Sequence, residues 1–235
     1  FGADTFDLYC PPVAEATAAI GRSIITQTID KARELGIHVL YGDTDSIFLK
    51  NPSPEQIKTL AGWSEKNLDM EIEVDKFYRY AVLSSRKKNY LGIFEDGSVD
   101  VKGLTGKKRH IPHLIKEYFD EMENRLSQVK TPADFEEAKT DVEKIIRECY
   151  NTIKRREWDN LDDLAFEVVL GKIPKAYTKT TPQHVKAAVQ LKEKGIEINA
   201  GDLIRFVKVA RDPHVKPVEL ALDREIDTDK YVAYL

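Results

Sequence analysis

Tyr41-Gly42-Asp43-Thr44-Asp45-Ser46 lies between two apolar runs, Val39-Leu40 before it and Ile47-Phe48-Leu49 after it. That pattern predicts strand, turn and strand over His38 to Lys50, with two carboxylates two residues apart at the tip. Hard oxygen donors suit Mg²⁺, which commonly takes one or two carboxylates together with substrate phosphates. Mn²⁺ accepts the same donors. In a two-metal site the ions flank the attacking and leaving oxygens of a phosphoryl transfer. Two carboxylates on one hairpin do not complete such a site, so a further ligand has to come from elsewhere.

An Asp-Thr-Asp turn has a plainer reading, in which Asp and Thr bond their own backbone. Three details favour a cation. Aromatic and β-branched residues flank the turn on both sides. Gly42 permits an unusual backbone angle or the close approach of another backbone. Like charges this near each other are unfavourable unless a cation neutralises them. A haloacid-dehalogenase-type phosphatase site also begins with Asp-x-Asp after a strand, but it needs a βαβ series where a hairpin is predicted here. An EF-hand loop needs an acidic twelfth position. Counted from Asp43, that position is Pro54.

Outward from the hairpin, Pro11-Pro12 opens a helix that runs to about Leu35, with apolar residues at three- and four-residue steps, and Gly36 closes it. Ser53-Pro54-Glu55-Gln56 starts a second helix, ending near Leu68. Glu71 to Asp75 alternates strictly and reads as a strand. Tyr78–Leu83, Asn89–Phe94 and Ser98–Val101 follow, with Asp96-Gly97 as a hairpin turn. After His110-Ile111-Pro112 the pattern turns helical, over Leu114 to Met122, about Ala133 to Arg155, and Pro182 to before Gly195. The tail mixes short strands and loops. The fold class is α+β: an antiparallel sheet with helices on one face over residues 1–110, then a mainly helical part over 111–235.

The chain has 235 residues and a net charge of −4. Between Arg79 and Lys116 nine basic residues face three acidic ones, so this segment is +6 and the remainder −10. A basic stripe inside an acidic chain is the footprint of polyanion contact. The lysines also have a plainer reading, as charges that blunt an edge strand. Cys10 and Cys149 form no metal-ligand pattern; a disulfide between them is one reading, and free thiols in a reducing, cytoplasmic setting are the simpler one. No stretch approaches the ~20 apolar residues of a membrane span. Phe1-Gly2-Ala3-Asp4 is not a signal peptide and has no initiator Met. The scattered His110, His113, His184 and His214 read as structural or solvent-facing, and Trp63 and Trp158 as packing or interface anchors.

The hexamer Tyr41–Ser46 resembles motif C of family B DNA polymerases. Arg86-Lys87-Lys88-Asn89-Tyr90-Leu91-Gly92 resembles that family's Lys-Lys-x-Tyr segment, and Lys102 to Arg109 its archaeal Lys/Arg-Gly-Leu segment. Pro182-Gln183-His184-Val185, Lys194-Gly195-Ile196 and Gly201-Asp202-Leu203-Ile204 resemble the thumb. The resemblance implies a late palm over 1–110 and a thumb over 111–235. Asp45 would be the metal-ligating aspartate and Asp43 its electrostatic and structural partner. Lys87 and Lys88 would touch primer-template DNA near the growing end, with Tyr90 beside them. Lys102, Lys107, Lys108 and Arg109 would extend that contact. Lys87 and Lys88 are expected to alternate across a strand, so that only one faces the duplex, and Lys88 is the choice.

Motif A, with its second aspartate, is absent from the sequence, as are the fingers helix and the exonuclease motifs. The pattern is similar to the small subunit of the split family B polymerase of some methanogenic archaea. That resemblance implies a heterodimer in which a larger subunit supplies those parts. The implied ligands are Mg²⁺ or Mn²⁺, dNTP and primer-template DNA, with a sliding clamp as a further candidate partner and no membrane. Two alternatives stand beside it: a fragment of a single-chain polymerase, and a non-catalytic DNA-binding module.

Overall fold

Helix α1 (Pro11–Glu34) begins with two prolines in its first turn and ends with Lys31 and Arg33 in its last, each where the helix dipole and the missing proline N–H favour it. Gly36, at φ +73°, then turns the chain. The computed structural model describes residues 1–108 and 110–235, with Thr105 by its backbone alone. Strands β1 (His38–Asp43) and β2 (Ser46–Lys50) form a two-stranded antiparallel sheet. Helix α2 (Pro54–Leu68) starts at the expected capping box: Gln56 N–H donates to Ser53 Oγ, and Ser53 N–H donates to Gln56 Oε1. Gln56 Nε2 also donates to the Leu35 carbonyl at 2.9 Å, so one side chain caps α2 and ties down the end of α1. Ala32, Ile37 and Leu60 are buried together, with Val39, Ile47, Leu49 and Ile72 against them.

Glu71 to Asp75 forms no strand, contrary to its alternation. Ile72 does turn toward the small core while Glu71, Glu73 and Asp75 are exposed. Val74, the other apolar position, is exposed, and among the described residues no strand pairs with this backbone.

The remaining strands make two further antiparallel sheets and do not join the first. Strands β3 (Tyr80–Leu83), β4 (Tyr90–Ile93) and β5 (Val99–Lys102) lie in that order. Gly97, at φ +86°, and an Asp96 carboxylate accepting from Ser98 N–H form the expected turn between β4 and β5. Helices α3 (His113–Ser127) and α4 (Pro132–Arg155) follow. Leu91 and Ile93 of β4 are buried against Leu126, Val129 and Ala138. Strand β6 (Phe166–Val169), helix α5 (Gln183–Glu193), strands β7 (Leu203–Lys208) and β8 (Val215–Pro217) and the short α6 (Thr228–Val232) complete the chain. Tyr231, fully buried, accepts from Lys208 N–H at 2.9 Å and donates to the Leu164 carbonyl at 3.0 Å, so its hydroxyl is satisfied inside the core.

By compactness the chain divides between Phe77 and Tyr78, into residues 1–77 and 78–235. Strands β3–β5 therefore belong with the helices beyond residue 110. That is a division by packing, and the functional division expected near 110 is a separate matter. Both cysteines are free thiols. Burial pushes the Cys149 thiol up to about 12. Among the described residues no helix is long and apolar enough to cross a membrane.

Candidate functional site

The candidate residues fall into two groups, one in each compact unit. In residues 1–77, Asp43 pairs with Ser46 across the hairpin, leaving Thr44 and Asp45 as a two-residue turn. Thr44 takes φ +50°, in the left-handed region, which a β-branched residue rarely adopts. The Thr44 hydroxyl donates to Asp43 Oδ1 at 3.0 Å, and Asp45 N–H donates to the Asp43 carbonyl at 2.6 Å. The plainer reading of the turn is thus partly realised: its first carboxylate is engaged locally. Asp45 is exposed at the tip. A bulge between Val39 and Tyr41 resets the register below the tip, where Tyr41 meets Phe48 edge-on with ring centroids 5.6 Å apart.

Gly42 serves the close approach of a side chain. Its backbone angle is ordinary, and no other backbone lies closest. A Cβ at this position would sit 3.1 Å from Ile29 Cδ1 of α1. The hairpin below the carboxylates is seated on that helix. Asp43 and Asp45 offer hard oxygens, which suits Mg²⁺ or Mn²⁺. Among the described residues no group of three or more acidic, His or Cys side chains could hold a metal ion. The tip fits as part of a ligand set.

In residues 78–235, Lys87 and Lys88 occupy the turn between β3 and β4, not a strand. The expected alternation therefore does not choose between them. Lys88 has φ +61°. A Cβ at Gly103, itself at φ +69°, would lie 2.1 Å from the Lys88 carbonyl and 2.1 Å from Asn89 Oδ1. Only glycine allows this contact, and it joins the Lys-Lys turn to the Lys102-Gly103-Leu104 segment. Tyr90 faces Lys102 across the β4–β5 ladder, so Lys87, Lys88, Tyr90 and Lys102 gather at one end of the sheet. Tyr90 lies edge-on to Tyr78 at 6.5 Å, and Tyr78 donates to Asp100 Oδ2 at 2.5 Å. Burial first, then Asp100, holds the Tyr78 phenol above its ordinary range, so it stays a donor. Gly92 leaves room for that ring, since a Cβ there would meet Tyr78 at 2.4 Å.

Lys107 points to α3, where it pairs with Glu123 at 2.5 Å and Asp120 at 3.7 Å. Arg79 is likewise engaged, donating to the Ser127 carbonyl at 2.8 Å and the Glu95 carbonyl at 3.3 Å. Lys108 is exposed. Arg109 lies outside the described residues. Asn89, Gly92 and Gly103 lie inside the motif segments, but the motifs alone assign them no role. The glycines that follow Tyr90-Leu91 and Lys102 were the available signal.

The family model described as DNA polymerase family B matches residues 1–233. DNA polymerase 1 of Sulfolobus acidocaldarius is 46% identical over 235 residues, covering 100% of this chain and 27% of that protein. DNA polymerase 1 of Saccharolobus solfataricus is 45% identical over the same length, covering 26% of that protein. Among solved structures, the family B DNA polymerase from Pyrobaculum calidifontis aligns with 98% of this chain and 29% of its own length, at 30% identity and a TM-score of 0.61. The chain spans about a quarter of the length of the curated relatives it matches.

Proposed function

The chain belongs to DNA polymerase family B, and from that premise we propose that it supplies part of the active site and part of the DNA grip of a DNA-directed DNA polymerase. Residues 1–110 are read as the late palm and 111–235 as the thumb. The observation that carries this reading is the Asp43-Thr44-Asp45 tip, a two-residue turn seated on α1 inside a chain matched almost end to end by the family. Asp45, exposed at the tip, is the metal ligand. Asp43, held by Thr44, sets the shape of the turn and adds charge.

Template-directed nucleotidyl transfer is phosphoryl transfer, in which positioning and charge neutralisation do most of the work. A bound Mg²⁺ or Mn²⁺ would neutralise charge on the reacting oxygens. This chain's own part is to hold carboxylate oxygens at a fixed tip and primer-template phosphates on Arg86, Lys87, Lys88, Lys102 and Lys108, with dNTP as the second substrate. Phosphate contacts of that kind set register and carry no sequence information, which suits an enzyme that must accept any template.

A second aspartate, the fingers and the exonuclease come from outside these residues. They reside on a larger subunit, as the sequence resemblance implies, or on the same polypeptide, as the length of the relatives supports. Co-purification from native extract with mass spectrometry distinguishes the two. The open edges of the two-stranded β1–β2 sheet and the exposed Val13 and Ile20 of α1 support a cover of either kind.

In the complete polymerase, Asp45→Ala is expected to lower the single-turnover incorporation rate by at least ~10²–10³-fold, the range for losing one electrostatic stabiliser. Primer-template binding should persist, and Asp43→Ala should cost less. A rate unchanged in Asp45→Ala would favour the non-catalytic DNA-binding module.

A further inference from the structure

The basic residues between Arg79 and Lys116 look equivalent in sequence, but the fold treats the described ones differently. Lys107 Nζ lies 2.5 Å from Glu123 Oε2, 3.7 Å from Asp120 Oδ1 and 5.8 Å from the Phe119 ring centroid. The Glu123 side chain is 14% exposed against 68% for Asp120, so Glu123 is the more sheltered partner of a Lys107 that is itself 44% exposed. One residue earlier, a Cβ on Gly106 would fall 2.2 Å from Phe119 Cγ, so the backbone itself rests on that ring. A close backbone contact and an ion pair on consecutive residues dock the single 3-10 turn Thr105–Lys107 on α3. Glu123 holds the Lys107 ammonium above its ordinary range, so Lys107 stays charged at neutral pH. Arg86, Lys87, Lys102 and Lys108 are exposed as Lys107 is, but no described residue forms an ion pair with them.

We infer that Lys107 is a positioning residue of the DNA grip: it pins the 103–108 segment to α3 through Glu123, so that Lys102 and Lys108 on either side are presented to phosphate. This rests on the nucleic-acid reading above. A phosphate that engaged Lys107 would have to compete with the Glu123 carboxylate, whereas one that engaged Lys108 would displace only water.

The test is the affinity of the complete polymerase for a primer-template duplex, measured against salt between roughly 50 and 200 mM. Lys108→Ala removes a phosphate contact and should lower the slope of log affinity against log salt by about 0.9. Lys107→Ala should leave that slope at its parent value while raising Kd about two- to fivefold, the worth of one partly exposed ion pair. Lys107→Arg should keep the parent Kd. The exchange Lys107→Glu with Glu123→Lys should bring Kd back toward the parent. A slope in Lys107→Ala that falls as far as in Lys108→Ala overturns the inference. So does an exchanged pair that binds no better than its single variants. If Lys102→Ala, Lys107→Ala and Lys108→Ala all leave the slope unchanged, the nucleic-acid reading fails instead.

Discussion

In residues 1–77 three apolar side chains, Ala32, Ile37 and Leu60, are buried together beneath a two-stranded sheet. In residues 78–235 eighteen gather around β6–β8 and five around β3–β5. A two-stranded sheet is marginal in water without further strands or packing. The carboxylates therefore ride on the frame less able to hold itself, and the basic surface on the frame with a full core. Geometry at the tip comes from two local devices, the bulge and the left-handed Thr44, and from one longer contact, Gly42 on Ile29. Geometry of the basic surface comes from long-range contacts, with Gly103 on Lys88 and Lys107 on Glu123.

The largest stability effect expected within this comparison is in the core of 78–235. Phe166 is buried and stacks on Phe206 at 5.5 Å and against Tyr231 at 5.8 Å. Phe166→Ala should cost ~3–5 kcal/mol by denaturant unfolding. Its transition should move while the Tyr41–Phe48 hairpin signal, followed by NMR, does not. Movement of both together would break the distinction between the two units.

Much of residues 1–77 was legible because its signals are local. Pro11-Pro12, Gly36, the Ser53–Gln56 box and the apolar runs around Asp43 each act within a few residues. What was missed depends on partners far along the chain. Strand β6 pairs with β7, and Phe166 faces Phe206, forty residues on. Glu71 to Asp75 shows the converse, a strand pattern with no partner strand among the described residues. In the candidate site the carboxylates and lysines could be named from motifs. The turn that carries Lys87 and Lys88, and the capture of Lys107 by α3, could not, because Gly103 and Glu123 act on them through folding.

An intermediate effect belongs to Gly103. Its φ of +69° and the 2.1 Å approach of the Lys88 carbonyl leave no room for a side chain. Gly103→Ala should cost about 1–3 kcal/mol of stability. It should also weaken primer-template affinity, because the turn bearing Lys87 and Lys88 must shift. A stable variant with parent affinity would show that the turn does not depend on this contact.

The smallest effect is a pH limb in residues 78–235. Lys154 beside Asp229, and Lys216 beside Glu225, hold these carboxyls below their usual range. A depressed carboxyl stabilises the fold fully above its unfolded value, near pH 4, and the contribution fades as pH falls through the folded value. Melting temperature should therefore fall below about pH 4, and Lys154→Ala with Lys216→Ala should flatten that limb. An unchanged limb would mean that other carboxylates carry it.

The central claim is that the Asp43-Thr44-Asp45 tip is a working part of a polymerase site whose other carboxylate lies outside these 235 residues. Primer extension by the isolated chain, with and without the remainder of the polymerase supplied as a separate polypeptide, tests it most directly. No nucleotide incorporation by the chain alone, and template-dependent incorporation on addition of the remainder, is the expected result. Robust incorporation by the isolated chain would contradict it.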